Sequence, residues 1–268
     1  MIDLTQEQKM LRIRYDILKK EFTDLFAQKN EMLSQEENVL TALYLAAVGQ
    51  KQHRKYCLVV EIKMITHRIS LVQSYFNRNE VPDLKAIEKI VEKHFAAYQQ
   101  KIAAEAKRIA IAKEFLKEGF LSEGDVKKLK EVYRLIVKKL HPDINPNVTE
   151  EEKDLFVKAQ AAYDLCDLPA LNAILLTLDM HAAPEVVDPI DLKAQVAKLE
   201  ENVTKLTDQI AALEKQFPFS FRVKLADEAW IDSEQAVLDK EILELELEKE
   251  KYADYLILLE EWKPALLR

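Results

Sequence analysis

Glycine is almost absent from this chain, with three residues among 268. An average usage of about 7% would give several times that number. Because hairpins and other tight turns depend on glycine at positive φ, so few glycines disfavour β-sheets and favour long helices. Hydrophobic residues make up 49% of the chain and charged residues 32%, which is enough for a sizeable core. The sequence therefore predicts an all-α fold.

The net charge and the cysteine content limit the binding partners and the cellular compartment that can be expected for this chain. The formal net charge of -8 argues against nucleic-acid binding by the whole chain. Cys57 and Cys166 form no disulfide framework or metal-type pair, so we expect small buried side chains in a reducing compartment. The chain starts without a basic segment followed by an apolar core, and the apolar run over 40–48 is too short for a bilayer. We expect a cytoplasmic protein that binds neither membrane nor nucleic acid.

Helical periodicity dominates residues 1–111. Capping boxes that start at Thr5 and Ser34 predict two helix beginnings, and Gly49 fits a helix C-cap or a kink. Further helices are predicted over 50–77 and from Leu84 to about Gly119. This part is expected to be a helical bundle or an array of long antiparallel helices.

Two runs at steps of four and three residues predict coiled-coil arms in residues 186–268. Their seam positions are Leu192, Val196, Leu199, Val203, Leu206, Ile210 and Leu213, then Leu238, Ile242, Leu245, Lys249, Tyr252, Leu256 and Leu259. Pro218 separates the arms, which favours an antiparallel hairpin with a short extended piece over 219–225. The pattern leaves open whether the arms pair with each other or in a homodimer.

The central part, residues 112–181, contains two amphipathic helices around a proline-containing loop. The first helix should end at His141, because the residue before a proline is driven out of the α region. A capping box at Thr149 should start the second. Apolar positions predict that the helices pack antiparallel; they are Val126, Leu129, Val132, Tyr133, Ile136 and Leu140, and then Phe156, Ala159, Tyr163 and Cys166.

Basic residues cover the other face of the first helix. They are Lys127, Lys128, Lys130, Arg134, Lys138 and Lys139, and they lead directly into His141, Pro142 and Asp143. A basic rod that ends in a stiff polar corner suits docking on an acidic surface better than catalysis.

The residues from Val132 to Pro146, with His141-Pro142-Asp143 among them, resemble the second helix and signature loop of a J-domain. Phe156, Ala162, Tyr163 and Pro169 are similar to its third helix, and the resemblance covers roughly residues 112–170. It implies a co-chaperone that binds a seventy-kilodalton heat-shock chaperone and stimulates its ATPase, without catalytic residues or a cofactor of its own.

The resemblance also implies a role for individual residues of the loop and of the helix before it. His141, Pro142 and Asp143 would activate the chaperone, and Arg134, Lys138, Lys139, Lys130, Lys127 and Lys128 would dock on its acidic surface.

The chain departs from the family pattern at two positions around the signature loop, in the first helix and at the end of the third helix, which lacks the family's basic tail. Leu140 stands where the family usually has an aromatic residue, Ile144 stands where it usually has lysine, and the family's first helix is not clear. In the co-chaperone interpretation, the flanking helices give specificity for a client or a coiled-coil partner. The alternative interpretation is a structural or scaffold protein with a non-activating J-like hairpin, whose long helices bind another protein.

An enzyme with a site in the N-terminal bundle is disfavoured. That part of the sequence shows no ExxH pair, phosphate-binding glycine loop or nucleophile-base spacing. His53 and Cys57 lie four residues apart, but no second pair accompanies them, so no metal site is expected.

Overall fold

The computed structural model describes residues 6–118, 122–180 and 192–261, and within these ranges it contains helices and no strand. The predicted all-α class is confirmed. None of the described helices combines the length and apolar character needed to cross a membrane. The α-helices, numbered in chain order, are α1 (Gln6–Glu31), α2 (Glu37–Tyr44), α3 (Gln50–Asn77), α4 (Leu84–Glu118), α5 (Glu123–Leu140), α6 (Glu150–Asp164), α7 (Leu168–Met180), α8 (Leu192–Glu214), α9 (Arg222–Leu225) and α10 (Glu228–Glu261).

The first three helices form one continuous helical stretch, joined by π-helical turns at Met32–Glu36 and Leu45–Gly49. The expected helix start at Ser34 is wrong, because its hydroxyl donates to the Asn30 carbonyl oxygen at 2.8 Å inside the helix. Gly49 is not a C-cap, since its φ of -59° is helical. A Cβ there would lie 3.0 Å from Leu45 Cδ2, so a larger residue would require this buried leucine side chain to shift. The cap at Thr5 lies outside the described residues.

The chain folds into two compact units, each built from two separate segments. One contains residues 1–39 and 119–220, and the other contains residues 40–118 and 221–268. This division differs from the three consecutive parts expected at 1–111, 112–181 and 186–268. The linker expected at 181–184 and the cap at Asp188 lie outside the described residues.

In the first unit, α8 runs parallel to α1. Arg14 pairs with Glu200 at 2.9 Å, and further along both helices Lys29 Nζ donates to Gln209 Oε1 at 2.8 Å, as expected for parallel helices. The α8 positions that face the core are those of the heptad pattern; Leu192, Val196, Leu199, Val203, Leu206 and Ile210 are buried. Helices α5, α6 and α7 pack on one another in the same unit, and α5 also packs on α1.

In the second unit, α10 runs parallel to α3, and α4 packs antiparallel on α3. Ion pairs follow the length of α3 and α10, from Lys55 with Glu241 at 2.7 Å to Arg68 with Glu260 at 2.8 Å. Lys249, the one charged position in the predicted seam, pairs with Glu61 at 2.6 Å. The lysine is therefore accommodated by a carboxylate on the facing helix.

The heptad arms are helical as predicted, but the predicted hairpin between them requires correction. Each arm packs along a helix of its own unit, α8 along α1 and α10 along α3. The extended piece expected over 219–225 is also wrong, because Phe219–Phe221 forms a 3-10 turn that leads into α9. A heptad pattern indicates that a seam is buried without identifying the helix that buries it.

Candidate functional site

The helical hairpin around His141-Pro142-Asp143 has the ends predicted from sequence. The Ser122 hydroxyl accepts a hydrogen bond from the Asp125 backbone N–H at 3.1 Å and caps α5. Thr149 and Glu152 form a reciprocal capping box at the start of α6. Helix α5 ends at Leu140, and the next residue, His141, is extended, with a φ of -68° and a ψ of 126°. Both borders of the loop are thus determined by local chemistry.

Two tyrosines hold α5 and α6 together. The Tyr133 and Tyr163 rings are stacked, with centroids 4.1 Å apart, and both side chains are buried. Burial raises the pKa of both phenols well above the ordinary value. The Asn30 amide of α1 donates to the Tyr133 hydroxyl at 2.6 Å. These aromatic residues belong to the core, as the sequence predicted.

Hydrogen bonds within the loop make it a stiff corner. The Asp143 backbone N–H donates to His141 Nδ1 at 3.1 Å, and the Ile144 N–H donates to the His141 carbonyl oxygen at 3.1 Å. The Asn145 side-chain amide donates back to the Lys138 carbonyl oxygen at 2.9 Å. Pro142 is exposed at the outer edge, and its ring fixes φ. The loop therefore presents a defined shape.

The His141 imidazole points inward, into a cluster of phenylalanine rings. Its ring centroid lies 4.8 Å from that of Phe22, 4.4 Å from Phe26 and 5.2 Å from Phe156, each in an edge-on arrangement. Burial lowers the pKa of His141 to about 4, although the nearby Asp143 charge acts in the opposite direction. The imidazole is therefore neutral near pH 7, which agrees with Nδ1 accepting the Asp143 N–H.

Helix α1 contacts the loop beyond the histidine as well. The Tyr15 hydroxyl donates to the Ile144 carbonyl oxygen at 2.9 Å, and Lys19 Nζ donates to Asn145 Oδ1 at 2.8 Å. The Ile144 side chain has 0% exposure and packs in the core that α1 shares with α8. Burial thus explains why this loop position holds an apolar residue.

The predicted docking cations fall into two groups. Lys127, Lys128, Lys138 and Lys139 are exposed along α5, beside the half-exposed Leu135. Arg134 is exposed but lies 3.6 Å from the Asp24 carboxylate of α1, and the half-buried Lys130 pairs with Glu31. The six cations lie on one helix, but α1 approaches two of them.

Of the predicted triad, Pro142 is exposed, Asp143 is half-buried and His141 packs internally. Sequence reasoning missed the α1 residues that contact the corner, which are Tyr15, Lys19, Phe22 and Phe26. The apolar character of Ile144 was the one local signal that the loop packs against another segment.

Metal-ligating side chains do not cluster in the described ranges, where no group of three or more His, Cys, Asp or Glu residues could hold an ion. His53 Nε2 lies 3.0 Å from the Ile102 carbonyl oxygen, and burial raises the pKa of the Cys57 thiol.

No protein-family model, curated protein or solved structure matches the chain.

Proposed function

We propose that this protein is a co-chaperone of the J-domain type, which binds a seventy-kilodalton heat-shock chaperone and stimulates its ATPase. The observation that carries the proposal is the row of exposed lysines on α5 that ends at the stiff His141-Pro142-Asp143 corner. The chain's own role is to dock and to present the corner, and the chaperone supplies the hydrolysis.

Electrostatics support docking on an acidic partner. Lys127, Lys128, Lys138 and Lys139 place like charges along one helix, in a chain whose net charge is -8. Such a local basic surface steers an acidic partner and orients it, with its main effect on the association rate. Leu135 adds an exposed apolar side chain among these cations, where a partner can bury it.

The test is the ATPase rate of a purified bacterial seventy-kilodalton heat-shock chaperone with and without the full chain. We expect wild type to raise the rate, Asp143→Asn to remove at least nine tenths of the increase, and K138E/K139E to weaken it about tenfold. His141→Gln should also reduce stimulation, but its packing role requires that its thermal unfolding be measured alongside.

The matched control for the lysine reversal is K193E/K198E, which changes the same number of exposed lysines on α8. It should stimulate like wild type. Equal ATPase rates with wild type and Asp143→Asn would contradict the proposal.

A scaffold protein with a non-activating hairpin is the second candidate, favoured by the packing of His141 against Phe22, Phe26 and Phe156. In that case the corner is a structural joint, and the long helices bind another protein. This function predicts no stimulation by any variant, together with recovery of a coiled-coil partner or of self-association.

A further inference from the structure

We propose that α1 acts as an intramolecular pseudo-ligand of the corner, so that the protein holds its own docking site partly closed until a partner displaces it. This inference rests on the proposed function, because it assigns regulation to the same site. It starts from the position of α1, which runs antiparallel to α5. Glu31 lies at Lys130, Asp24 lies at Arg134, and Lys19 lies at Asn145 beyond the helix end.

The charges of α1 match those expected of the acidic partner. Asp24 and Glu31 place carboxylates beside Arg134 and Lys130, on the side of α5 that faces α1. An acidic surface that docks on α5 offers the same chemistry to the same cations. Lys127, Lys128 and Lys138 are exposed and can receive the partner first, and the partner then competes with α1 for Arg134 and Lys130.

The aromatic contacts of α1 close the corner itself. Phe22 and Phe26 contact the His141 imidazole edge-on, and the Tyr15 hydroxyl donates a hydrogen bond to the Ile144 carbonyl oxygen of the loop. While these contacts persist, His141 is unavailable to a partner, although Pro142 remains exposed. Only the open fraction of molecules can then engage fully, and the apparent affinity falls by that fraction.

The two faces of α1 indicate which part moves. One face is packed along the length of α8 through buried side chains such as Leu18, Leu199 and Leu206. The face toward α5 carries the Asp24 and Glu31 ion pairs at its edge, and it also contributes Ala27 and the partly buried Phe26 to the core of α5, α6 and α7. Because α1 contacts α8 more extensively than it contacts α5, opening separates the α5–α6 hairpin from α1 and exposes Ile144, while α1 stays with α8.

The experiment loosens this contact without altering the core. D24K/E31K places like charges beside Arg134 and Lys130, and surface pairs of this kind contribute little to global stability. E7K/E21K is the control, with the same charge change at two exposed carboxylates of the same helix. D24K/E31K/K130E/R134E reverses both partners and restores attraction, so it should close the contact again.

Two measurements are made on the full chain. Hydrogen–deuterium exchange of residues 141–148 reports closure without any chaperone, and the ATPase rate of the bacterial chaperone reports its consequence. We expect D24K/E31K to raise exchange at least threefold and the stimulation at subsaturating concentration about fivefold. E7K/E21K should match wild type in both, and the fourfold variant should return exchange to the wild-type level.

The outcomes separate the two proposals. Unchanged exchange in D24K/E31K, or increased exchange without increased stimulation while wild type stimulates, overturns the pseudo-ligand inference and leaves the co-chaperone function standing. Absence of stimulation by every variant, with exchange raised as expected, overturns the co-chaperone function and the regulatory role with it.

Discussion

The imidazole of His141 meets the ring of Phe26 edge-on, with centroids 4.4 Å apart and ring planes at 73°. The histidine therefore contributes to packing between α5 and α1 as a neutral ring. Its protonation state is consequently linked to the stability of the unit that contains both helices.

Lowering the pH from 7 to 5 is expected to cost the wild-type chain about 2 kcal/mol of unfolding free energy through His141 alone. Its pKa is 6.5 ordinarily and about 4 in the fold, so between these values the unfolded chain takes up a proton that the folded chain does not. The loss begins as pH falls through 6.5 and is complete below 4. Urea denaturation at several pH values measures it.

The control for this pH dependence is His141→Gln, which removes the titrating group. Its unfolding free energy should change by about 2 kcal/mol less than that of wild type between pH 7 and 5. Parallel pH profiles for the two proteins would show that His141 is not buried as a neutral ring.

Ile144→Lys is expected to destabilise the first unit by at least about 3 kcal/mol, because it places an unpaired ammonium in an apolar core. The native side chain has 0% exposure. Denaturation by urea, followed by circular dichroism, measures the change. Ile13→Lys is the matched control on α1, where the native side chain is 61% exposed, and it should change stability by less than about 0.5 kcal/mol. A tolerated lysine at 144 would mean that α1 and α8 do not cover the loop in solution.

Reversing one charge of the Glu61–Lys249 pair between α3 and α10 should lower the free energy of unfolding, and reversing both charges should leave it nearly unchanged. Lys249→Glu places a like charge beside Glu61 and is expected to cost about 0.5–1 kcal/mol, since the pair is partly exposed. E61K/K249E restores an attractive pair and should recover most of that loss. A double-mutant cycle measures the coupling, and a coupling energy near zero would contradict the observed pairing.

Thr149→Ala is expected to destabilise α6 by about 1 kcal/mol, since its hydroxyl caps the Glu152 backbone N–H. Thr207→Ala serves as the control, because that hydroxyl donates to the Val203 carbonyl oxygen in the middle of α8 and caps nothing. Thermal unfolding of both variants makes the comparison. Equal melting temperatures would show that the capping box does not contribute measurably.

Local chemistry in the sequence was sufficient to predict where the helices of the α5–α6 hairpin begin and where α5 ends. Ser122 and Thr149 offer side-chain oxygens to free helix-end amides, and Pro142 forces His141 out of the α region. These effects act over a few residues and need no tertiary partner. The same local reasoning was wrong at Ser34 and Gly49, where a helix continued through residues that often end one.

The sequence by itself determined that the chain is helical, where the central hairpin begins and turns, and which stripes of its helices are apolar. Tertiary structure decided that α1, and not the second heptad arm, packs along α8, and that the same α1 covers His141 and Ile144. The physical reason is that burial of apolar surface is non-directional and roughly proportional to area. The apolar stripe of one helix can therefore be buried about equally well against the stripes of several other helices. Only the assembled unit, with its register of ion pairs and ring contacts, selects among them.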